Sequence, residues 1–79
     1  MQLTIYSLKG VQYEGAVKSF NVKTRAGEIT ILDNHRPLIT LLEKGTARII
    51  DEAHQTHEVP ITSGFLELTP EHVLNVLVD

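Results

Sequence analysis

The chain has 79 residues, a net charge of −3 and no cysteine. A chain this short makes one domain, and it buries only about 60% of its unfolded surface. The acidic balance argues against nucleic acid as a main partner, because phosphate binding needs a basic surface. Without cysteine, disulfides and Cys-based zinc sites are excluded.

Short β-branched runs separated by Gly, Pro, Asn and Asp follow one another along the whole chain, which is the pattern of an all-β protein. Leu3 and Ile5 alternate with Thr4 and Tyr6, predicting a first strand with one buried face. Gly10 ends it. Val11 to Tyr13 is expected to return as a short second strand, and Gly15 to turn the chain again. Ala16 to Thr24 reads as a longer strand whose apolar phase slips from Val17 to Phe20 and Val22. One inserted residue near Lys18 and Ser19, a β-bulge, returns all three to one face. Arg25-Ala26-Gly27 is a turn, and Glu28 to Leu32 a strand with Ile29 and Ile31 on one side.

Asp33-Asn34-His35-Arg36-Pro37 reads as a corner, because Asp and Asn supply acceptors for turn amides and Pro37 disfavours helix before it. Pro37 to Glu43 is ambiguous. Leu38, Leu41 and Leu42 have helical spacing, Pro37 suits a first helical turn and Gly45 suits a C-terminal cap. Thr46 to Ile50 and Thr56 to Ile61 form a hairpin with the polar tip Asp51 to Gln55. Ser63-Gly64 interrupts, Phe65 to Thr69 resumes, Pro70-Glu71 turns, and Val73 to Val78 closes the fold. The expected product is a single domain over residues 1–79, a small flattened β-sandwich or barrel of eight to ten short strands. With two Phe, two Tyr and no Trp, its core is aliphatic.

No apolar run approaches the roughly 20 residues of a membrane-spanning helix. The strand pattern opening directly after Met1 leads to the expectation that no targeting segment is present. A cytosolic protein is expected, one that meets a membrane only through another protein. Chemistry in the chain itself has little support. His54 and His57 are three apart, which on a strand sends them to opposite faces, and no carboxylate is expected in the right place to complete a metal site. The carboxylate pairs Asp51-Glu52 and Glu67 with Glu71 lack the long loops from which a cleft is built. Gly10 and Gly15 stand at turns and form no phosphate-binding loop, so no cofactor, metal or catalytic residue is expected.

Two runs carry more. Gly27-Glu28-Ile29-Thr30-Ile31-Leu32 followed by His35-Arg36-Pro37-Leu38, and Ser63-Gly64-Phe65-Leu66-Glu67-Leu68 followed by Val76-Leu77-Val78-Asp79, resemble the N-terminal β-sandwich domain of the epsilon subunit of F-type ATP synthases. The resemblance spans essentially the whole chain, and it implies strand rather than helix at Leu38 to Leu42. It implies a non-catalytic rotor subunit of the central stalk that fastens the gamma subunit to the membrane ring (the c-ring) during ion-driven ATP synthesis. Such a subunit sits peripherally on the cytoplasmic side of the energy-transducing plasma membrane.

By matching position, the resemblance makes Ala26, Gly27, Glu28, Ile29 and Thr30 ring-facing, with Glu28 able to pair with a ring-loop arginine. It assigns Ser7, His35, Arg36 and Thr40 to gamma contact. Three departures stand out. Thr30 replaces a second glycine, Asp33-Asn34 replaces Pro-Gly, and Phe65 replaces the second glycine after Ser63. The helical hairpin that follows the sandwich in the family does not follow Asp79, so the inhibitory element is expected to be missing. The alternative from a different class is a free-standing β-barrel that binds a peptide or small ligand.

Overall fold

The computed structural model describes residues 1–79 and contains eight strands and no helix. They are β1 (Gln2–Ser7), β2 (Gly10–Thr24), β3 (Gly27–Leu32), β4 (Leu38–Leu42), β5 (Gly45–Asp51), β6 (Thr56–Ile61), β7 (Gly64–Leu68) and β8 (Val73–Val78). The all-β sandwich or barrel expected from the sequence is the observed class.

Strand β2 organises the rest. Its first half pairs with β1, from Gln2 with Ala16 to Ser7 with Gly10. Its second half pairs with β5 and with β3. Strand β1 pairs in parallel with β8, then β8 with β7 and β7 with β4 in antiparallel fashion. Strand β4 returns to β2 through a single bridge, Leu42 with Thr24. The path β1-β8-β7-β4-β2 is therefore closed, and β3 and the β5–β6 hairpin extend from the far half of β2. One 15-residue strand thus serves both halves of the fold.

It can do so because it is bulged. The pairing with β5 slips between Val17, opposite Asp51, and Ser19, opposite Ile50. The extra residue is Lys18, where the apolar phase predicted it. Val17, Phe20 and Val22 all point inward despite their mixed spacing, and all are buried. A bulge bends its strand and increases its local twist.

Two expectations are corrected. The chain does not turn at Gly15, and Val11 to Tyr13 is no separate strand. Both belong to β2, because β1 pairs along this whole stretch, with Leu3 opposite Gly15 and one slip that leaves Gln12 without a partner. At Leu38 to Leu42 the helical spacing is misleading and the strand implied by the resemblance is the observed element. These residues pair with β7 in register from Leu68 back to Gly64, and exposure alternates along them. Strand pairing on one side outweighed a weak local preference.

The core is one cluster of fifteen buried apolar residues, drawn from every strand. Phe20 is its only aromatic member. Leu3, Ile5, Leu66, Leu74 and Val76 of the closed path are fully buried, as are Ile31 and Ile49 on the other side. Each such side chain contributes about 1.5–3 kcal/mol on burial. Asn34, at the corner after β3, has φ 71°, the left-handed conformation that Asn tolerates.

Candidate docking surfaces

The β2–β3 turn is built by Thr24, the one buried polar side chain. Its hydroxyl donates to the Gly27 carbonyl at 2.7 Å and accepts from the Ala26 amide at 3.1 Å. Gly27 stands at φ +119°, which disfavours any side chain. Arg25, Ala26, Gly27, Glu28 and Thr30 are exposed, whereas Ile29 is half-buried against the core. Of the five ring-facing candidates, four are thus presented to the outside and Ile29 anchors them. On the outer face, Asn21 of β2 donates from Nδ2 to Glu28 Oε2 at 3.0 Å and to Thr30 Oγ1 at 2.9 Å.

The gamma-contact candidates do not form one cluster. Following the pairings, Ser7 lies one step beyond Tyr6 and Leu77, at the end of the strand rows that also holds Gly64, Leu42 and the β2–β3 turn. His35 and Arg36 lie at the opposite end, where Asp33 accepts from the Met1 amino group at 2.8 Å. Thr40 sits level with Leu66, Val76 and Ile5 on the inward side of the edge of that sheet, three strands from β1. At about 4.8 Å per strand this is about 14 Å from Ile5.

Local bonds engage each residue differently. The Ser7 hydroxyl accepts from the Lys9 amide and from Gln12 Nε2, both at 3.1 Å, so it ties its own turn. His35 Nδ1 donates to the Arg36 carbonyl at 2.7 Å, which leaves Nε2 available as an acceptor. Arg36 is exposed and has no ion pair.

A surface that sequence reasoning missed runs between Ser7 and Thr40. Tyr6 is paired with Leu77, Leu77 with Phe65, and Phe65 with Leu41. Val11 of β2 continues the row on the far side of Tyr6. These are alternate residues on the outer face, and all are exposed, from 38% for Tyr6 to 60% for Val11. Leu8, fully exposed in the β1–β2 turn, lines a shallow 220 Å³ groove with Phe65 and Leu77. Five strands at about 4.8 Å make a continuous apolar band about 19 Å long. The signal in the sequence was Phe65, the bulky replacement for glycine. Its significance appears only when the strand register places Leu77 and Leu41 on either side of it.

His54 and His57 do not share a strand, and one expectation about them is corrected. His54 occupies the hairpin tip at φ 64°, away from His57. A carboxylate does meet His57, for Asp51 Oδ2 lies 2.8 Å from its Nε2. Asp51 Oδ1 accepts from the amides of Ala53 and Gln55, both at 2.9 Å. The His57 hydrogen bond, then the Gln55 amide, hold the Asp51 carboxyl below the ordinary carboxylate range. The Tyr13 ring rests 5.3 Å from that of His57, and burial, then the Asp51 charge, push its hydroxyl up. This arrangement latches the hairpin. It is a structural unit with no adjoining cavity, since the four surface grooves involve none of these three residues.

Comparison with known proteins agrees with this geometry. The family described as "ATP synthase, Delta/Epsilon chain, beta-sandwich domain" matches residues 1–79. An ATP synthase epsilon chain from Acinetobacter baumannii is 40% identical over 79 residues, covering all of this chain and 56% of the relative. One from Aquifex aeolicus is 39% identical over 74 residues, covering 94% of this chain and 54% of the relative. The chain thus spans about half the length of these curated relatives. Among solved structures, a chain of the Euglena gracilis mitochondrial ATP synthase (OSCP/F1/c-ring) superposes with a TM-score of 0.89 at 19% identity, covering 96% of this chain and 48% of that one. A chain of the Tetrahymena thermophila mitochondrial ATP synthase central stalk and c-ring gives 0.82 at 13% identity, covering 99% and 62%. At these identities the two superpositions show a shared fold.

Proposed function

Because this chain belongs to the ATP synthase delta/epsilon family through its β-sandwich domain, we propose that it is a non-catalytic subunit of the central stalk, fastening the gamma subunit to the membrane rotor ring. It acts mechanically. Torque from the ring reaches the catalytic head only if the joint at the foot of the shaft is stiff, and a closed strand path with β2 shared between both halves resists shear. In this reading the subunit is peripheral, on the cytoplasmic side of the energy-transducing membrane, and reaches that membrane only through its partners.

The observation that carries the reading is the exposed apolar row Tyr6–Leu77–Phe65–Leu41. A contiguous apolar band on a small acidic domain is costly to leave in water and marks a protein contact. Gamma docks along it, with Ser7 one step beyond its Tyr6 end, Thr40 turned inward beside its Leu41 end, and His35 and Arg36 reached separately at the other end of the strands. The turn Ala26, Gly27, Glu28, Ile29 and Thr30 faces the polar loops of the ring. Two modest contacts on one rigid body reinforce each other, since the second forms at high effective concentration.

The test is restoration of coupling. ATP synthase stripped of this chain is supplied with the purified protein, and ATP-driven ion pumping is followed in membrane vesicles. Restored pumping supports the proposal, and binding to neither gamma nor the ring refutes it.

A further inference from the structure

We infer that Asn21 and Thr30 are positioning residues that hold Glu28 ready for a guanidinium supplied by the docking partner. The inference rests on the proposed function, in which this turn faces another subunit and Glu28 meets the arginine that the family resemblance implies; what it adds is how Glu28 is held.

Glu28 is an exposed strand carboxylate held by a neutral amide and not by a cation. Its register partner on β2 is Lys23, which ordinarily forms a cross-strand ion pair with it. No cation lies within 4.0 Å of Glu28, although five such pairs occur elsewhere, four of them joining strands or turns on the surface. The lysine turns the other way. Its stem lies over Gly45, where a Cβ on that glycine would stand 3.1 Å from Lys23 Cδ and 3.5 Å from Cγ. The bare backbone of β5 provides the space that draws the intramolecular cation aside.

One neutral donor takes its place. Asn21 spends both amide hydrogens, one on Glu28 Oε2 and one on Thr30 Oγ1. The Thr30 oxygen, the second partner of that amide, fixes the Asn21 rotamer, and Asn21 in turn fixes the carboxylate. This gives the departure from glycine at position 30 a role. The net charge of the group is left uncompensated, and the Asn21 carbonyl oxygen has no hydrogen-bond partner. The turn therefore offers a carboxylate and a neighbouring carbonyl as paired acceptors.

A planar guanidinium, with several donors in a fixed fork, spans two acceptors, whereas an ammonium acts as a single point charge. Holding the acceptors in place beforehand reduces the side-chain entropy lost on docking. The paired acceptors suit the arginine that the resemblance gives as the partner of Glu28.

The experiment measures binding of the whole chain to ATP synthase depleted of it, for wild type and for Glu28→Gln, Asn21→Ala, Thr30→Val and Thr30→Ser. Thr30→Val keeps the β-branched shape and the strand, and Thr30→Ser keeps the hydroxyl. Asn21→Ala and Thr30→Val are expected to weaken binding by about two- to fivefold, as for loss of one exposed pair. Thr30→Ser should bind as wild type, and Asn21→Ala combined with Glu28→Gln should be no weaker than Glu28→Gln alone. In the free chain, the two Asn21 side-chain amide proton resonances should shift in Glu28→Gln while the unfolding temperature holds.

The outcomes separate the two ideas. If the wild-type chain does not bind the depleted complex, the proposed function fails. If Glu28→Gln weakens binding and Asn21→Ala does not, the function stands and the positioning inference is overturned. Binding of Glu28→Gln at full strength also overturns it.

Discussion

Asp51 and His57 are joined across the β5–β6 hairpin, Oδ2 to Nε2 at 2.8 Å, while the other Asp51 oxygen receives two amides of the hairpin tip. One carboxylate thus closes the turn and ties it to the strand that returns from it. Its folded-state pKa is depressed, so its contribution to stability is fully present above the unfolded carboxylate value of about 3.9 and is lost as pH falls through the folded value. Asp51→Asn should therefore unfold at a lower temperature than wild type at pH 7. The gap should close as the pH is taken below 4. Thermal melts across pH 7 to 2 decide it, and a gap that widens on acidification would mean that the charge is not what holds the hairpin.

The apolar row makes a contrasting prediction. Phe65 and Leu41 are 41% and 49% exposed, so Phe65→Thr and Leu41→Thr remove little from the core. Both replacements suit a strand, and surface changes of this sort usually stay within about 0.5 kcal/mol. The double variant is expected to melt near wild type, to resist concentration-dependent association better, and to be retained less on immobilised gamma subunit. Undiminished retention would remove the row from the interface.

Inside, the balance is different. Phe20 is the largest fully buried side chain and lies just past the bulge in β2. Replacing Phe by Ala in a core costs about 3–5 kcal/mol. Native stabilities run about 5–15 kcal/mol, with small domains near the bottom. Phe20→Ala should leave a substantial unfolded fraction at 37 °C, seen as loss of amide protection in hydrogen exchange.

Gly64 is required for closeness. A Cβ there would meet the Leu77 carbonyl oxygen at 2.5 Å, a backbone atom that cannot rotate aside. Gly64→Ala should push β7 from β8, lower the melting temperature and disturb the apolar row through Phe65 and Leu77. Backbone amide shifts confined to β7, β8 and the Ser63 turn are the expected signature. An unperturbed β8 would show that the added methyl is accommodated without moving the strands apart.

What could be read in the sequence was what depends on one strand at a time. The bulge was visible because Val17 and Phe20 cannot share a face without an extra residue. Asn34 was visible as a turn residue because of its side chain. Leu38 to Leu42 was not, since five residues with three leucines fit either period and only pairing with β7 decides. Gly15 was misread as a turn because its place opposite Leu3 depends on a strand distant in sequence. The Asn21–Glu28 contact, the Asp51–His57 bond and the Tyr6–Leu41 row share that difficulty. Each is a cross-strand relationship, and in each the individual residues look like ordinary solvent-facing positions.

The central claim is that this domain works by joining two other subunits. Its most direct test is co-expression of the tagged chain with the remaining ATP synthase subunits, followed by purification through the tag and quantification of what is retained. The proposal predicts gamma in a one-to-one ratio together with the ring subunits, with gamma lost first from the apolar-row variant. Recovery of an assembled gamma–ring complex from the same cells without the tagged chain bound to it would contradict it.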